Sequence, residues 1–340
     1  MRYCSAQMLD FGSYPTPVQR LGPLSTSATS LWIKRDDLTN PIYGGNKPRK
    51  LARLLSDAKS RGATRVVTVG AVGSHHVLAT GIFGKIAGLR VDAALPRQPR
   101  TPHVLEPLRA SLAQGVGLFP ADSFTEAARL LESWMAAGAY YIPAGGSNHL
   151  GTLGIVDAAI ELAEQVRRGE LPEPDLIVVP LGSGGTVAGL VAGLARAGLA
   201  SRVLAVTVVD PAHVFEQKTR ALTKAMVEEA ERSSVLERLE IERNFLGAGY
   251  GHATFESEHA TREAAKVGLA LDATYTAKAF AAALARVALG TARTILYWQT
   301  LSSAPMAPLL IGAPSENEIA PELRRLAYDG VKKDAGAEFE

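Results

Sequence analysis

Three times in this chain a short apolar run ends in a cluster of small residues and passes straight into a helix-forming stretch. Arg65-Val66-Val67-Thr68-Val69 leads into Gly70-Ala71-Val72-Gly73-Ser74-His75-His76. Tyr140-Tyr141-Ile142 leads into Pro143-Ala144-Gly145-Gly146-Ser147-Asn148, and Asp175-Leu176-Ile177-Val178-Val179-Pro180 into Leu181-Gly182-Ser183-Gly184-Gly185-Thr186. Strand, glycine turn, helix, strand is the rhythm of βαβ units, and it implies an α/β protein with parallel sheets. Ligands in such sheets sit beyond the carboxyl ends of the strands, so the glycine turns are the places to search for a site.

Further strands are expected at Leu31–Lys34, Arg90–Leu95, Val203–Val209 and Thr294–Trp298. Residues 12–25 and the proline-rich stretch 95–107 read as loops, and 213–243 as a charged, mostly helical surface. Leu171-Pro172-Glu173-Pro174 interrupts the chain, and the βαβ rhythm recurs on both sides of it. We therefore expect two domains, a smaller one at 46–155 inserted into a larger one formed by 1–45 and 156–340.

With 340 residues and 47% hydrophobic content, the chain has enough apolar material for a sizeable core. A net charge of +2 gives no nucleic-acid footprint. One cysteine, Cys4, leaves no intramolecular disulfide and fits a reducing compartment. Neither a signal peptide nor a membrane span is visible, so a cytoplasmic protein is expected. No metal site is expected.

The chemistry gathers around Tyr43-Gly44-Gly45-Asn46-Lys47-Pro48-Arg49-Lys50. The glycines let the backbone approach a ligand closely, and the run from Leu51 has helical spacing, so Lys47 falls in the first turn of a helix. There the positive end of the helix dipole favours the neutral amine, the form a nucleophilic lysine needs. A solvated basic loop is the plainer alternative. Gly182-Ser183-Gly184-Gly185-Thr186, after a strand and before a helix, presents backbone N–H groups and two hydroxyls as a phosphate site would. It is neither a Walker A loop nor a complete dinucleotide fingerprint. A tight turn without a ligand is its alternative. Tyr250 in a glycine-rich loop and Tyr275 in Asp272-Ala273-Thr274-Tyr275-Thr276-Ala277-Lys278 complete the set.

Taken together, Lys34-Arg35-Asp36-Asp37, the lysine loop, Gly145-Gly146-Ser147-Asn148 and the 182–186 loop resemble the pyridoxal-phosphate enzymes of the tryptophan synthase β-subunit fold. Within that fold they resemble the family of D-cysteine desulfhydrase and 1-aminocyclopropane-1-carboxylate deaminase, over roughly residues 10 to 310. The resemblance implies two three-layer α/β/α domains with mostly parallel sheets and a homodimer. It implies that Lys47 carries the cofactor on its side-chain nitrogen and later takes the proton from Cα. Asn46, His75, Thr300 and Gly182, Ser183, Gly184, Gly185 and Thr186 would bind the cofactor. Ser74, His75, His76, Tyr250, Tyr275 and Thr276 would face a small amino-acid substrate, with Ser74, Tyr250 and Tyr275 taking part in catalysis.

Two positions favour the desulfhydrase branch, because Thr276 and Thr300 stand where the deaminases have Glu and Leu. Other positions depart from the family. His75 replaces an asparagine, and Gln299-Thr300-Leu301-Ser302 replaces His-Thr-Gly-Gly. A β-eliminating lyase acting on D-cysteine or a relative is the leading expectation. Ring-opening deamination, a shifted substrate in specialised metabolism, a cofactor-retaining binding protein and a nucleotide-binding protein are the others.

Overall fold

A computed structural model describes residues 8–101 and 104–328; Cys4 and the C-terminal tail lie outside the described residues. In chain order the elements begin with β1 (Val18–Arg20), β2 (Ser30–Lys34), α1 (Lys47–Ser60), β3 (Arg65–Val69), α2 (His75–Ile86), β4 (Arg90–Leu95) and β5 (Gln98–Pro99). There follow α3 (Leu105–Ala113), β6 (Gly117–Pro120), α4 (Phe124–Ala136), β7 (Tyr140–Ile142), α5 (His149–Arg167), β8 (Leu176–Leu181), α6 (Gly185–Arg196) and β9 (Arg202–Thr207). The last are α7 (Ala212–Ala225), α8 (Arg232–Glu237), β10 (Leu239–Glu242), α9 (Phe255–Lys266), α10 (Thr276–Leu289), β11 (Thr294–Trp298), α11 (Pro321–Arg324) and β12 (Ala327–Tyr328).

Two compact units emerge. The larger comprises Gly12–Lys50 and Ser147–Ala304. Its sheet runs β1-β2-β11-β8-β9-β10, parallel except for β1 against β2. Successive side chains of a strand point to opposite faces. Ile177, Val179 and Leu181 of β8 accordingly join Leu162 of α5 and Leu190 of α6 in one core, whereas Leu176 and Val178 join Ala260 of α9 and Phe280 of α10 in the other. A strand covered on both faces must be apolar throughout, and β8 is. Helices α5 and α6 pack at glycine. A Cβ on Gly189 would lie 2.6 Å from the Ile155 Cβ, and one on Gly193 would lie 2.7 Å from the Ala159 Cβ, so the small-residue run in α6 is a packing requirement.

The smaller unit comprises Leu51–Gly146 with the described residues up to Phe11 and from Pro305 on. Its parallel sheet runs β6-β4-β3-β7, and Ala127, Leu131 and Trp134 of α4 cover Val67, Val69 and Ala94 on one face. The C-terminal segment joins it through the parallel pair β5–β12 and through Arg109 Nε, which donates to Pro314 O at 2.7 Å.

These boundaries differ from the expected 46–155. Residues 46–50 stay with the larger unit because Arg49 is bound there to Asp36 and Glu161, and 147–155 stay because α5 packs on α6. Two edge strands also lack a clear sequence signal. β6 ends in Pro120, which an edge tolerates, and β10 lies inside the charged stretch expected to be helical. Among the described residues no helix is long and apolar enough to cross a membrane.

Candidate active site

The lysine loop is fixed from both sides by backbone contacts. Gly45 N donates to Asp36 O at 2.8 Å, Asn46 N to Thr300 O at 3.2 Å, and Gly44 N to Ser302 Oγ at 2.8 Å. Gly45 has φ +90° and leaves 2.4 Å between an imagined Cβ and Thr300 O, so only glycine fits. Asn46 then spans the site: its Nδ2 donates to Thr186 Oγ1 at 2.9 Å while its Oδ1 accepts from Lys47 Nζ at 2.8 Å. Burial lowers the Lys47 pKa to about 8, against a partial opposing pull from Asp272. About a tenth of the amine is then neutral at pH 7, far more than for an ordinary lysine, and the neutral form is what an amine nucleophile or base requires.

The second half of the site is the turn between β8 and α6. Gly184 adopts φ +90°, and a Cβ there would meet Thr219 Oγ1 at 2.4 Å. Ser147 Oγ lies 2.8 Å from Ser183 Oγ and accepts from Gly185 N at 3.2 Å. Lys50 enters the same cradle, donating to Ser147 Oγ at 3.3 Å with its Nζ 2.9 Å from where a Gly185 Cβ would stand. Lys50 is 1% exposed. Burial, and secondarily the charge of Lys47, push its pKa well below the ordinary value. One lysine side chain, amides at a helix start, hydroxyls and a space that a single methyl group would close make a donor set fitted to a phosphate. The residues present therefore fit pyridoxal phosphate. Lys50→Ala is expected to weaken cofactor retention about 10- to 100-fold, the scale of one charged hydrogen bond. Titration of the cofactor-free protein with pyridoxal phosphate checks it, and a change below about threefold would contradict the placement of Lys50 at the phosphate.

Tyr250 and Tyr275 meet although 25 residues separate them: Tyr275 Oη donates to Tyr250 Oη at 2.9 Å, and the rings pack edge to face. Burial raises the Tyr250 pKa to about 12 and pushes that of Tyr275 well above its ordinary value. Both phenols are therefore protonated at neutral pH. Tyr275 is set by Asp272, whose Oδ1 accepts from Thr274 N and Tyr275 N. A Cβ on Gly182 would meet the Tyr275 ring at 3.0 Å, which brings this tyrosine to the phosphate-type loop.

Not every expected residue is used as expected. Thr276 is fully buried and its hydroxyl donates to Asp272 Oδ2 at 2.6 Å, so it builds the start of α10 instead of facing a substrate. In the smaller unit Ser74 caps α2, its Oγ accepting from Val77 N at 3.3 Å, and His75 follows, partly exposed, as the first residue of that helix. His76 turns inward. It is 5% exposed, and its Nε2 lies 2.9 Å from Thr68 Oγ1. Thr68 Oγ1 donates to Ile142 O, so His76 supplies the proton of that hydrogen bond and works in the core.

Asp272 and Ser147 carry no sequence signal of their own as site residues. Ser147 sits in a glycine turn, and Asp272 in the pattern around Tyr275, so both lie beside visible signals. Ser302 likewise reads as a lost glycine, whereas here it closes the lysine loop.

Comparison with known proteins points to the same cofactor. The sequence profile of the family described as pyridoxal-phosphate dependent enzyme matches residues 9–297. A D-cysteine desulfhydrase of Klebsiella pneumoniae is 33% identical over 280 residues, covering 78% of this chain and 84% of that protein. A Thermotoga maritima protein named provisionally as a 1-aminocyclopropane-1-carboxylate deaminase is 33% identical over 283 residues, covering 80% of this chain and 89% of its own. The crystal structure of an ACC deaminase homologue superposes with a TM-score of 0.76 at 31% identity, covering 89% of this chain and 96% of that one. The mostly parallel sheets, the fitted cradle and the matched profile lead to one assignment: this chain belongs to the pyridoxal-phosphate dependent enzymes, in the tryptophan synthase β-like fold, alongside D-cysteine desulfhydrase and ACC deaminase relatives.

Proposed function

We propose that this enzyme is a lyase that eliminates a β-substituent from a small amino acid, D-cysteine or a close analogue, releasing a 2-oxo acid and ammonia, and that it works as a cytoplasmic homodimer. The observation carrying the reading is the continuous link from the Lys47 amine through Asn46 to Thr186 of the phosphate-type loop, with two protonated tyrosines beside that loop. When bound, pyridoxal phosphate supplies an electron sink for charge developing at the amino acid's Cα. Lys47 holds the cofactor and accepts the Cα proton. Lys50, Ser147, Ser183 and the amides of the 182–186 loop hold the phosphate. Tyr275 and Tyr250 form a pair of protonated phenols able to donate a hydrogen bond to a leaving sulfur as negative charge develops on it, since their raised pKa values keep both protons in place at neutral pH. Ser74 and His75, at the start of α2, are the groups proposed to meet the substrate carboxylate.

Thr300, with the Klebsiella relative's name, supports elimination over ring opening. The Thermotoga relative's name supports ring-opening deamination as the second reading. Incubation with D-cysteine, L-cysteine and 1-aminocyclopropane-1-carboxylate separates them. Sulfide with pyruvate from D-cysteine is expected; 2-oxobutanoate from the cyclopropane alone would establish the second reading. Loaded protein inert to all of them would point to the shifted substrate suggested by His75, Leu301 and Ser302. Light scattering at low protein concentration tests the dimer.

A further inference from the structure

Lys278 is fully buried near the start of α10, where the helix dipole disfavours a cation. Its Nζ donates to Leu246 O at 2.7 Å and to Gly249 O at 2.9 Å. Those two carbonyls belong to the loop that carries Tyr250, and three of its glycines, Gly247, Gly249 and Gly251, have φ of +63°, +109° and +82°. Such a glycine-rich turn is weakly constrained by its own backbone. Tyr275 is the residue immediately before α10 and lies one helical turn from Lys278. One helix therefore positions both phenols, Tyr275 through its own backbone and Tyr250 through the lysine.

We infer that Lys278 is a positioning residue for catalysis: its ammonium group locks the 246–251 loop to α10 and thereby sets the Tyr250 hydroxyl against that of Tyr275. The carboxylates of Asp210 and Asp272 supply the opposing charge for the buried cation. Asp210 also touches the loop itself, because a Cβ on Gly249 would meet its Oδ2 at 2.2 Å. Burying a lysine opposite backbone carbonyls adds little to a fold that leucine or methionine would not add, whereas it ties to α10 a loop whose own backbone bonds, Gly249 N to Leu246 O at 3.3 Å and His252 N to Gly249 O at 3.4 Å, are long.

The catalytic part of this inference rests on the proposed use of Tyr250 as a hydrogen-bond donor, so its test includes a measurement that needs no substrate. Lys278→Met in the cofactor-loaded protein is expected to raise hydrogen exchange of the 247–251 amides at least about tenfold while the rest of α10 stays protected. It is expected to lower kcat about 100-fold, the scale of a positioned acid–base group, with KM and cofactor affinity within about threefold. In a Tyr250→Phe background the same substitution should cost no more than about twofold, because the two residues act as one unit. Lys278→Gln, which keeps an N–H donor for the carbonyls, is expected to hold loop exchange and kcat within about threefold of wild type, and losses there as large as those expected of Lys278→Met would overturn the inference. Unchanged exchange in the loop, multiplicative losses in the double variant, or cofactor affinity falling in step with kcat would each overturn the inference. Wild-type protein inert to cysteine would count against the substrate reading alone and leave the exchange result to decide.

Discussion

Lys47→Ala is expected to lower turnover by at least about 10⁴-fold, the upper end of what a single positioned acid–base group supplies, because both the attachment of the cofactor and the base at Cα are lost together. Borohydride reduction of the wild-type holoenzyme followed by peptide mapping should place the label on Lys47, and the variant should take no label. Lys50 is the rival. It is more deeply buried and its pKa is lowered as well, yet it donates to Ser147 beside the 182–186 turn, where it is proposed to meet the phosphate. A label on Lys50 would reverse the two assignments. The lowered pKa of Lys47 adds a pH dependence: the rate of cofactor capture should climb as pH approaches about 8 and level off above it, following the neutral amine. The linkage to stability has a definite sign. A folded pKa below the unfolded one means the unfolded chain holds more protons between about 8 and the ordinary lysine value, so Lys47 destabilises the cofactor-free protein below about 8 and ceases to do so as the pH rises through that window. Cofactor-free Lys47→Ala should therefore be at least as stable as wild type at pH 7, and a clear fall in melting temperature there would show that burial does not lower the pKa of this amine.

Much of this site is legible in the amino-acid sequence, and the part that is not has a physical cause. Strands β3, β4, β7 and β11 lie at their expected bounds, and the reason is plainest in β11, an interior strand buried at every position whose sequence is almost wholly apolar. The glycines at 45 and 184 are legible because only glycine adopts their φ without strain. Edge strands such as β10 carry half-polar sequences and vanish into charged surroundings. The roles of Lys50 and Ser302 are hidden for another reason. Each depends on which neighbour arrives through space, Gly185 for the lysine and Gly44 for the serine, and no local pattern records that. His76 shows the converse error, since adjacency to a functional motif suggests a wall residue while the helix period turns the side chain into the core.

Asp36→Ala is expected to destabilise the protein by about 3–5 kcal/mol and lower its melting temperature by roughly 10 °C, because it removes one member of a buried set of four charges. Asp36 is fully buried and accepts from Arg49 Nη2 at 2.8 Å, Trp298 Nε1 at 2.8 Å and Thr16 Oγ1 at 2.9 Å. Arg49 also reaches Glu161, which in turn accepts from Lys34 at 2.5 Å. Two cations and two carboxylates balance. Without Asp36 the set carries one uncompensated positive charge, and Lys34 is the group able to release it, since burial already lowers its pKa and the charge of Asp36 helps to hold its proton. The deficit should therefore shrink as pH rises: a folded Lys34 pKa pushed lower still makes the unfolded chain the better proton binder, so stability is regained on the way to the ordinary lysine range. Denaturant melts of wild type and Asp36→Ala at about pH 7 and about pH 9.5 test this, with the difference expected to be smaller at the higher pH. The same residue stands behind the site, for the Asp36 carbonyl accepts from Gly45 N and Arg49 lies two residues from Lys47. Cofactor retention should accordingly fall in the variant even where it remains folded at the higher pH. A melting difference equal at both pH values would mean that Lys34 keeps its proton and that Glu161 alone is sufficient counter-charge for the pair of cations.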